Sequence, residues 1–168
     1  MLGPGLPGVP LGAAAARCLL ALCDDDTPVW FQHDQWQHDD ATLVTWLCFH
    51  TGAPRSPTPD AARFGVITRA LAMPSLSAFH MGVAESPEQS TTLLIELPSF
   101  DTGSALEWRG PGIREAQAVA LAGLPAAFWS QWQTNHAAYP QGVDVLFTCG
   151  DQLIGLPRTT RVRRLERV

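Results

Sequence analysis

The spacing of apolar residues predicts three helices. Residues 12–23 form an Ala- and Leu-rich run without a helix breaker, and an acidic triplet follows it, which predicts a buried helix. A second helix is predicted to begin at Asp39 or Asp40 and to end at Gly52, which is a suitable C-cap residue. Residues 125–138 predict a third helix, because Pro stands in its first turn and large aromatic residues share one face.

Short apolar runs between turn signals predict strands. The predicted strands are residues 27–31, 61–68, 91–99 and 105–110, followed by a hairpin with arms at 143–148 and 152–156. Because strands and helices interleave, we expect an α/β or mixed α+β fold, with a mixed sheet and flanking helices. A length of 168 residues fits a single domain covering residues 1–168.

Composition and charge narrow the possible partners. The net charge of -5 argues against general nucleic-acid binding. No stretch approaches the ~20 apolar residues of a membrane span. The apolar N-terminal region has no basic segment before it, so we expect no signal peptide and a cytoplasmic location.

The chain contains no lysine, and all 11 of its basic residues are arginine. Covalent capture of pyridoxal phosphate needs a lysine amine, and a Walker phosphate loop needs its own lysine. We therefore expect no such cofactor chemistry from this chain acting alone. The Arg-rich C-terminal run RTTRVRRLERV is typical of a solvated tail.

Metal and nucleophile signals are weak. The four cysteines form no C-x-x-C pair and lie among apolar neighbours, which favours buried reduced thiols. His33 and His38 lie beside aspartates in a polar segment that could hold a divalent metal, but solvated loops of this composition are more common. We predict no metal and no catalytic residue.

Two segments suggest an anion site. In RGPGI, glycines on both sides of a proline could let backbone N–H groups converge on an anion near Arg109. In the second segment, Arg158, Thr159 and Thr160 could offer a guanidinium and two hydroxyls to a phosphate. A tight turn and an ordinary strand end are the competing interpretations.

Four collinear blocks, LLALCDDDTPVWF, FHTGAP, RGPGI and YPQGVDVLFTCGDQLIGLPRTT, resemble the PhnH family, the H subunit of the bacterial carbon–phosphorus lyase system. The resemblance implies a fold similar to the large domain of pyridoxal-phosphate-dependent transferases, without the cofactor. It implies a homodimer in isolation and a complex with the G, I and J subunits in the cell. It also implies a further N-terminal segment in relatives, so that this chain has the shorter N-terminus.

The implied function is that of an accessory subunit. The G, H and I subunits support the reaction of ATP with a phosphonate that gives a ribose 1-phosphonate 5-triphosphate, and the J subunit later breaks the C–P bond. Within the matching blocks, the candidate substrate- or anion-binding residues are Arg109, Gly110, Gly112, Arg158, Thr159, Thr160, His50 and Asp26. The alternative is a stand-alone enzyme or sensor that binds a phosphorylated small molecule.

Overall fold

The computed structural model describes residues 11–32 and 39–165, and these contain three α-helices and eight strands. The helices are α1 (Ala13–Leu22), α2 (Asp39–Thr51) and α3 (Phe128–Ala137). The strands are β1 (Val29–Phe31), β2 (Phe64–Ile67), β3 (Thr92–Glu96), β4 (Ser104–Arg109), β5 (Gln117–Leu121), β6 (Asp144–Cys149), β7 (Gln152–Leu156) and β8 (Arg161–Arg164).

The strands form two sheets. The larger sheet has the order β1-β2-β3-β6-β7, in which β1, β2, β3 and β6 are parallel and β7 returns antiparallel to β6. The smaller sheet has the order β5-β4-β8 and is antiparallel throughout. The expectation of a mixed α/β fold with a mixed sheet and flanking helices is therefore confirmed.

The larger sheet lies between two apolar layers, because alternate residues of a strand face opposite sides. On one side, α1 and α2 bury Leu19 and Leu47 against Val66 and Leu94. The other side is covered by α3 and by β4 of the smaller sheet. Its buried residues include Ile67, Leu93, Ile95, Phe147, Leu106, Trp108, Phe128 and Trp132. This packing brings the end of α3 close to the smaller sheet, where the candidate site lies.

The predicted elements agree with the structure for all three helices and for strands β1 to β4, β6 and β7. Gly52 follows α2 with a φ of 76°, a conformation that glycine adopts without strain. Two strands were not predicted, β5 and β8. The description of the Arg-rich run as a solvated tail was wrong for Arg161–Arg164, because these residues pair with β4 and form an edge strand.

Two absences hold for the part of the chain that the structure describes, residues 11–32 and 39–165. No helix there is long and apolar enough to cross a membrane. No group of three or more His, Cys, Asp or Glu side chains there could hold a metal ion. His33 and His38 lie outside the described residues, so the prediction about them stays a prediction.

Candidate functional site

An open cavity of about 510 Å³ lies where the smaller sheet meets the end of α3. Its lining residues are Arg109, Gly110, Pro111, His136, Tyr139, Thr159 and Arg161. The cavity thus brings together Arg109, Gly110 and Thr159. These residues come from the two separate segments that were proposed, from sequence, as an anion site. Their role as ligands stays a prediction.

The RGPGI segment forms a tight turn. The Ile113 N–H donates to the Gly110 carbonyl at 3.1 Å, and Gly112 has a φ of 83°. Proline at the second position and a positive-φ glycine at the third define a type II turn. Pro111 has no N–H to offer, and Gly112 lines a different cavity. The prediction that backbone N–H groups of this turn converge on an anion therefore has little support. The polar groups that could bind an anion here belong mainly to side chains.

Gly110 brings this turn into close contact with the loop between β7 and β8. A Cβ atom at position 110 would lie 3.2 Å from the Thr160 Cα and 3.3 Å from the Thr159 carbonyl oxygen. These distances are shorter than ordinary carbon contacts, so a side chain would push the two segments apart. Glycine therefore sets the width of the cavity at this point.

Two arginines lie directly opposite each other at the cavity. Arg109 ends β4 and pairs in register with Arg161, which begins β8. Arg109 also donates from Nε to Glu107 Oε1 at 2.9 Å. The pKa of Glu107 is lowered by this hydrogen bond and by the charges of Arg109 and Arg163. Among the described residues, Arg161 makes no ion pair.

His136 extends from the last turn of α3 to the cavity. Its Nδ1 lies 2.8 Å from the Arg158 carbonyl oxygen. Because a carbonyl oxygen only accepts, Nδ1 carries the hydrogen, and Nε2 is left for another partner. Tyr139, two residues beyond α3, is 62% exposed and adds a phenol hydroxyl to the same wall.

Arg158 does not line the cavity, because other groups hold its side chain. Its guanidinium forms a salt bridge of 2.5 Å with Asp144 and also donates to Ser90 Oγ. A further N–H group donates to the carbonyls of Pro87 and Pro140. These contacts account for the structural role of Arg158, and its predicted role as an anion ligand has no support from the geometry.

Thr160 is also a structural residue in this arrangement. It is only 1% exposed, its N–H donates to Pro157, and its carbonyl accepts from the indole of Trp132 at 3.0 Å. These bonds fix the loop that presents Thr159 and Arg161. Of the two threonines proposed from sequence, Thr159 thus lines the cavity and Thr160 supports the loop.

The remaining two candidates lie outside this cavity. His50 is exposed on the last turn of α2 and contacts Trp46 with tilted rings and Phe49 edge to face, at ring-centroid distances of 5.4 and 5.2 Å. Asp26 is exposed in the turn after α1. The cavity lining includes neither residue, so the expectation of one shared cleft has no support for them.

Sequence reasoning did not select His136, Tyr139 or Arg161. His136 has no recognisable partner near it in sequence, and Arg161 falls in the Arg-rich run that the sequence predicts to be a solvated tail. The alternation of Arg161, Val162 and Arg163 was the available signal, because a period of two indicates a strand with one charged face.

A second cavity, of about 500 Å³, lies at the carboxyl ends of β2 and β3. Its lining includes Thr68, Leu71 and Glu96. Glu96 accepts a hydrogen bond of 2.5 Å from the Gly12 N–H, at the start of α1. Burial raises the pKa of Glu96, although this hydrogen bond acts in the opposite direction. None of the predicted site residues lies there.

The first cavity is suited to binding rather than to bond breaking. Two guanidinium groups and two hydroxyls are hydrogen-bond donors that match an oxyanion, and the His136 Nε2 adds a donor when the ring is protonated. The His136 Nδ1 bonds to a carbonyl and not to a carboxylate, so the lining shows no relay of nucleophile, base and acid.

Comparisons with known proteins give a consistent result. The chain matches the family model "PhnH: Bacterial phosphonate metabolism protein (PhnH)" over residues 4–163. It is 38% identical over 158 residues to the alpha-D-ribose 1-methylphosphonate 5-triphosphate synthase subunit PhnH of Rhizobium meliloti (strain 1021), covering 94% of this chain and 78% of that protein. It is 34% identical over 82 residues to the putative C-P lyase subunit protein HtxG of Stutzerimonas stutzeri, covering 49% of this chain and 42% of that one.

Proposed function

Because the chain belongs to the PhnH family of bacterial phosphonate metabolism proteins, we propose that it is a subunit of a carbon–phosphorus lyase complex. In this role it supports the synthesis of a ribose 1-methylphosphonate 5-triphosphate from ATP and methylphosphonate. The observation that carries the proposal is the 38% identity, over 94% of the chain, to a relative named as a subunit of that synthase.

The proposed contribution is accessory rather than catalytic. The cavity near Arg161 offers donors for an oxyanion, but its described lining lacks the relay of groups that nucleophilic catalysis requires. A catalyst elsewhere in the assembly, the I subunit in our proposal, would then perform the reaction. The chain itself would contribute shape and binding.

Several finer features belong to the same proposal. We infer a homodimer when the chain is alone, association with the G, I and J subunits in the complex, and a cytoplasmic location. We also infer a likeness to the large domain of pyridoxal-phosphate-dependent transferases without the cofactor. The absence of lysine supports the last point, because no side chain could form the Schiff base.

Co-purification tests the proposed function. The tagged chain is expressed with the G, I and J subunits of the same source, and the eluate is analysed by size exclusion with light scattering. We expect a stoichiometric complex of high mass, and a dimer for the chain alone. If the chain elutes by itself in the presence of all three proteins, the subunit proposal is wrong.

A stand-alone binding protein or enzyme for a phosphorylated small molecule is the second candidate, and the cavity is the observation that favours it. Turnover by the pure chain distinguishes a stand-alone enzyme from an accessory subunit. The subunit proposal predicts that the pure chain does not consume ATP in the presence of methylphosphonate. Appreciable turnover by the chain alone would favour the second candidate.

A further inference from the structure

We propose that the cavity between the Gly110 turn, β8 and the end of α3 binds a phosphonate or phosphate group, with Arg161 and His136 as its main ligands. Neither ligand was among the residues selected from sequence. The choice of phosphorus oxyanions as the ligand class rests on the proposed function, whereas the site itself rests on its geometry.

Arg109 and Arg161 bring two like charges together at the cavity. Residues directly opposite each other in an antiparallel pair project to the same face, and like charges in this arrangement destabilise the sheet. Arg109 and Arg161 form such a pair at the cavity. An anion between the two guanidinium groups would remove the repulsion. The Arg109–Arg161 pair, which destabilises the folded sheet, would therefore favour the binding of an anion.

Positive charge is in excess on this face of the smaller sheet. Alternation along β4 and β8 places Glu107 opposite Arg163, and Arg109 opposite Arg161. One carboxylate therefore faces three guanidinium groups. Glu107 bonds to Arg109 and lies opposite Arg163, whereas Arg161 lies opposite another arginine and makes no ion pair among the described residues.

His136 has one ring nitrogen available for a ligand. The hydrogen bond from its Nδ1 to the Arg158 carbonyl fixes the ring plane and leaves Nε2 as the remaining polar atom. A neutral ring accepts at Nε2 from a P–OH group, and a protonated ring donates to a P–O⁻ group. Either form makes a hydrogen bond with a phosphorus oxyanion.

Hydrogen bonds hold the wall of the cavity around His136 in place before a ligand arrives. The carbonyl that holds His136 belongs to Arg158, whose side chain is held by Asp144. Two residues further on, the Thr160 carbonyl is held by the Trp132 indole. Protein groups that are already ordered lose less conformational entropy when they bind an anion, which raises the affinity.

The size of the cavity fits a small molecule. A volume of about 510 Å³ lies within the range of ligand pockets in proteins and exceeds what one tetrahedral oxyanion needs. The exposed ring of Tyr139 and the hydroxyl of Thr159 lie at the same cavity. They could contact the part of the ligand that carries the phosphorus group.

The test is isothermal titration of the pure chain with two probes, methylphosphonate and inorganic triphosphate. We expect at least one probe to bind with a Kd below about 1 mM at low ionic strength. The probe that binds more tightly identifies the source of the group, the phosphonate or the phosphate chain. If neither probe gives heat or a phosphorus NMR shift at about ten times that concentration, the proposal is wrong.

Matched variants separate a built site from a diffuse basic surface. Arg161→Gln should weaken binding by about tenfold or more, because it removes a guanidinium that lines the cavity. Arg164→Gln removes the same charge from the same strand, outside the cavity lining, and should change the Kd by less than about twofold. Equal losses in both variants would overturn the proposal.

The role of His136 has its own variant pair. His136→Asn keeps a donor near the Nδ1 position, so the contact with Arg158 can persist, but it deletes Nε2. His136→Gln places its amide near the Nε2 position. We expect weaker binding in the Asn variant and partial recovery in the Gln variant. Binding that is equal to wild type in both variants would remove His136 from the site.

Failure of the site and failure of the proposed function give different results. If Arg161→Gln assembles with the G, I and J subunits but no longer binds either probe, both proposals stand. If the wild-type chain binds a probe but does not assemble, the complex proposal fails and the site stands. If it assembles but binds neither probe when alone, the site fails and the complex proposal stands.

Discussion

Arg158 and Asp144 link the loop after β7 to the start of β6 through a salt bridge of 2.5 Å between Nη2 and Oδ2. Asp144 Oδ1 also accepts from the Arg158 backbone N–H at 2.7 Å, so the carboxylate holds both the side chain and the main chain. The Arg158 side chain is only 13% exposed. The arginine that the sequence proposed as a ligand therefore positions the loop that carries Thr159 and Arg161.

Replacement of Asp144 should destabilise the protein. Asp144→Asn keeps a similar shape but leaves a largely buried guanidinium without its counter-charge. We expect the free energy of unfolding to fall by about 1.5–3 kcal/mol, the range for hydrogen bonds to charged groups. Urea denaturation measures the change.

Glu107→Gln is the matched control for Asp144→Asn. It removes the same charge from an exposed pair with Arg109, and surface pairs contribute little because solvent screens them. We expect the urea midpoint of this variant to fall by less than that of Asp144→Asn. Equal destabilisation by the two substitutions would contradict the structural role of Asp144.

The elements with a clear local pattern could be predicted from sequence. Residues 12–23 form a long Ala- and Leu-rich run without a helix breaker, and residues 91–99 form a short apolar run between turn signals, so each specifies its element without information from elsewhere. The edge strands could not be predicted in this way. β8 is three arginines and a valine, and its strand state depends on pairing with β4, about fifty residues earlier in the chain.

Only part of the candidate site could be predicted, because the roles of its other residues depend on contacts with groups distant in sequence. The RGPGI turn and Thr159 stood out because their residue types suggest anion contact. The role of Arg158 could not be inferred, because its partners Asp144 and Ser90 lie 14 and 68 residues away. His136 was missed because its contact is with a backbone carbonyl, which no side-chain motif reveals.

Glu96 should make stability depend on pH. Burial raises its pKa above the ordinary value of 4.5, so the folded state binds more protons than the unfolded state between those two pKa values. Stability should therefore fall as the pH rises from about 4.5 through the raised pKa. Below that window the carboxyl is neutral in both states and costs nothing.

Glu96→Gln tests this dependence. The amide keeps an acceptor oxygen for the Gly12 N–H but carries no charge at any pH. We expect the variant to match the wild type in acid and to become more stable than the wild type as the pH rises towards neutral. Urea denaturation across that range measures the difference, and a constant difference at every pH would contradict burial of the carboxyl.

Cys23 should be unreactive in the folded protein. Burial, with a smaller effect of Asp24, raises the pKa of its thiol to about 12, and the residue is 7% exposed. The thiolate is the nucleophile, and at about pH 8 roughly one thiol in ten thousand would be ionised. We expect no labelling of Cys23 by a disulfide reagent at that pH, with rapid labelling after denaturation.

Mass spectrometry of the labelled peptides checks the prediction for Cys23. Cys149 is half-buried and provides an internal comparison in the same sample. We expect it to be labelled before Cys23 in the native protein. Labelling of Cys23 at the rate of Cys149 would show that the end of α1 opens easily.

The two glycines of the RGPGI turn should respond differently to alanine. Gly112 has a φ of 83° and open space around it, so Gly112→Ala introduces backbone strain without a clash. We expect it to cost about 1 kcal/mol of unfolding free energy and to leave ligand binding unchanged. Gly110→Ala instead places a methyl group against the backbone of Thr159 and Thr160 at 3.2–3.3 Å, which pushes the turn away from β8.

Gly110→Ala should therefore weaken binding of the tighter-binding probe, methylphosphonate or triphosphate, because Arg109 would move away from Arg161. A loss of about tenfold would correspond to a distance change on the order of an ångström at a charged contact. Titration calorimetry gives the Kd, and urea denaturation gives the stability of each variant. If Gly112→Ala weakens binding as much as Gly110→Ala does, then the conformation of the turn controls the site, and the close contact between Gly110 and the β7–β8 loop does not.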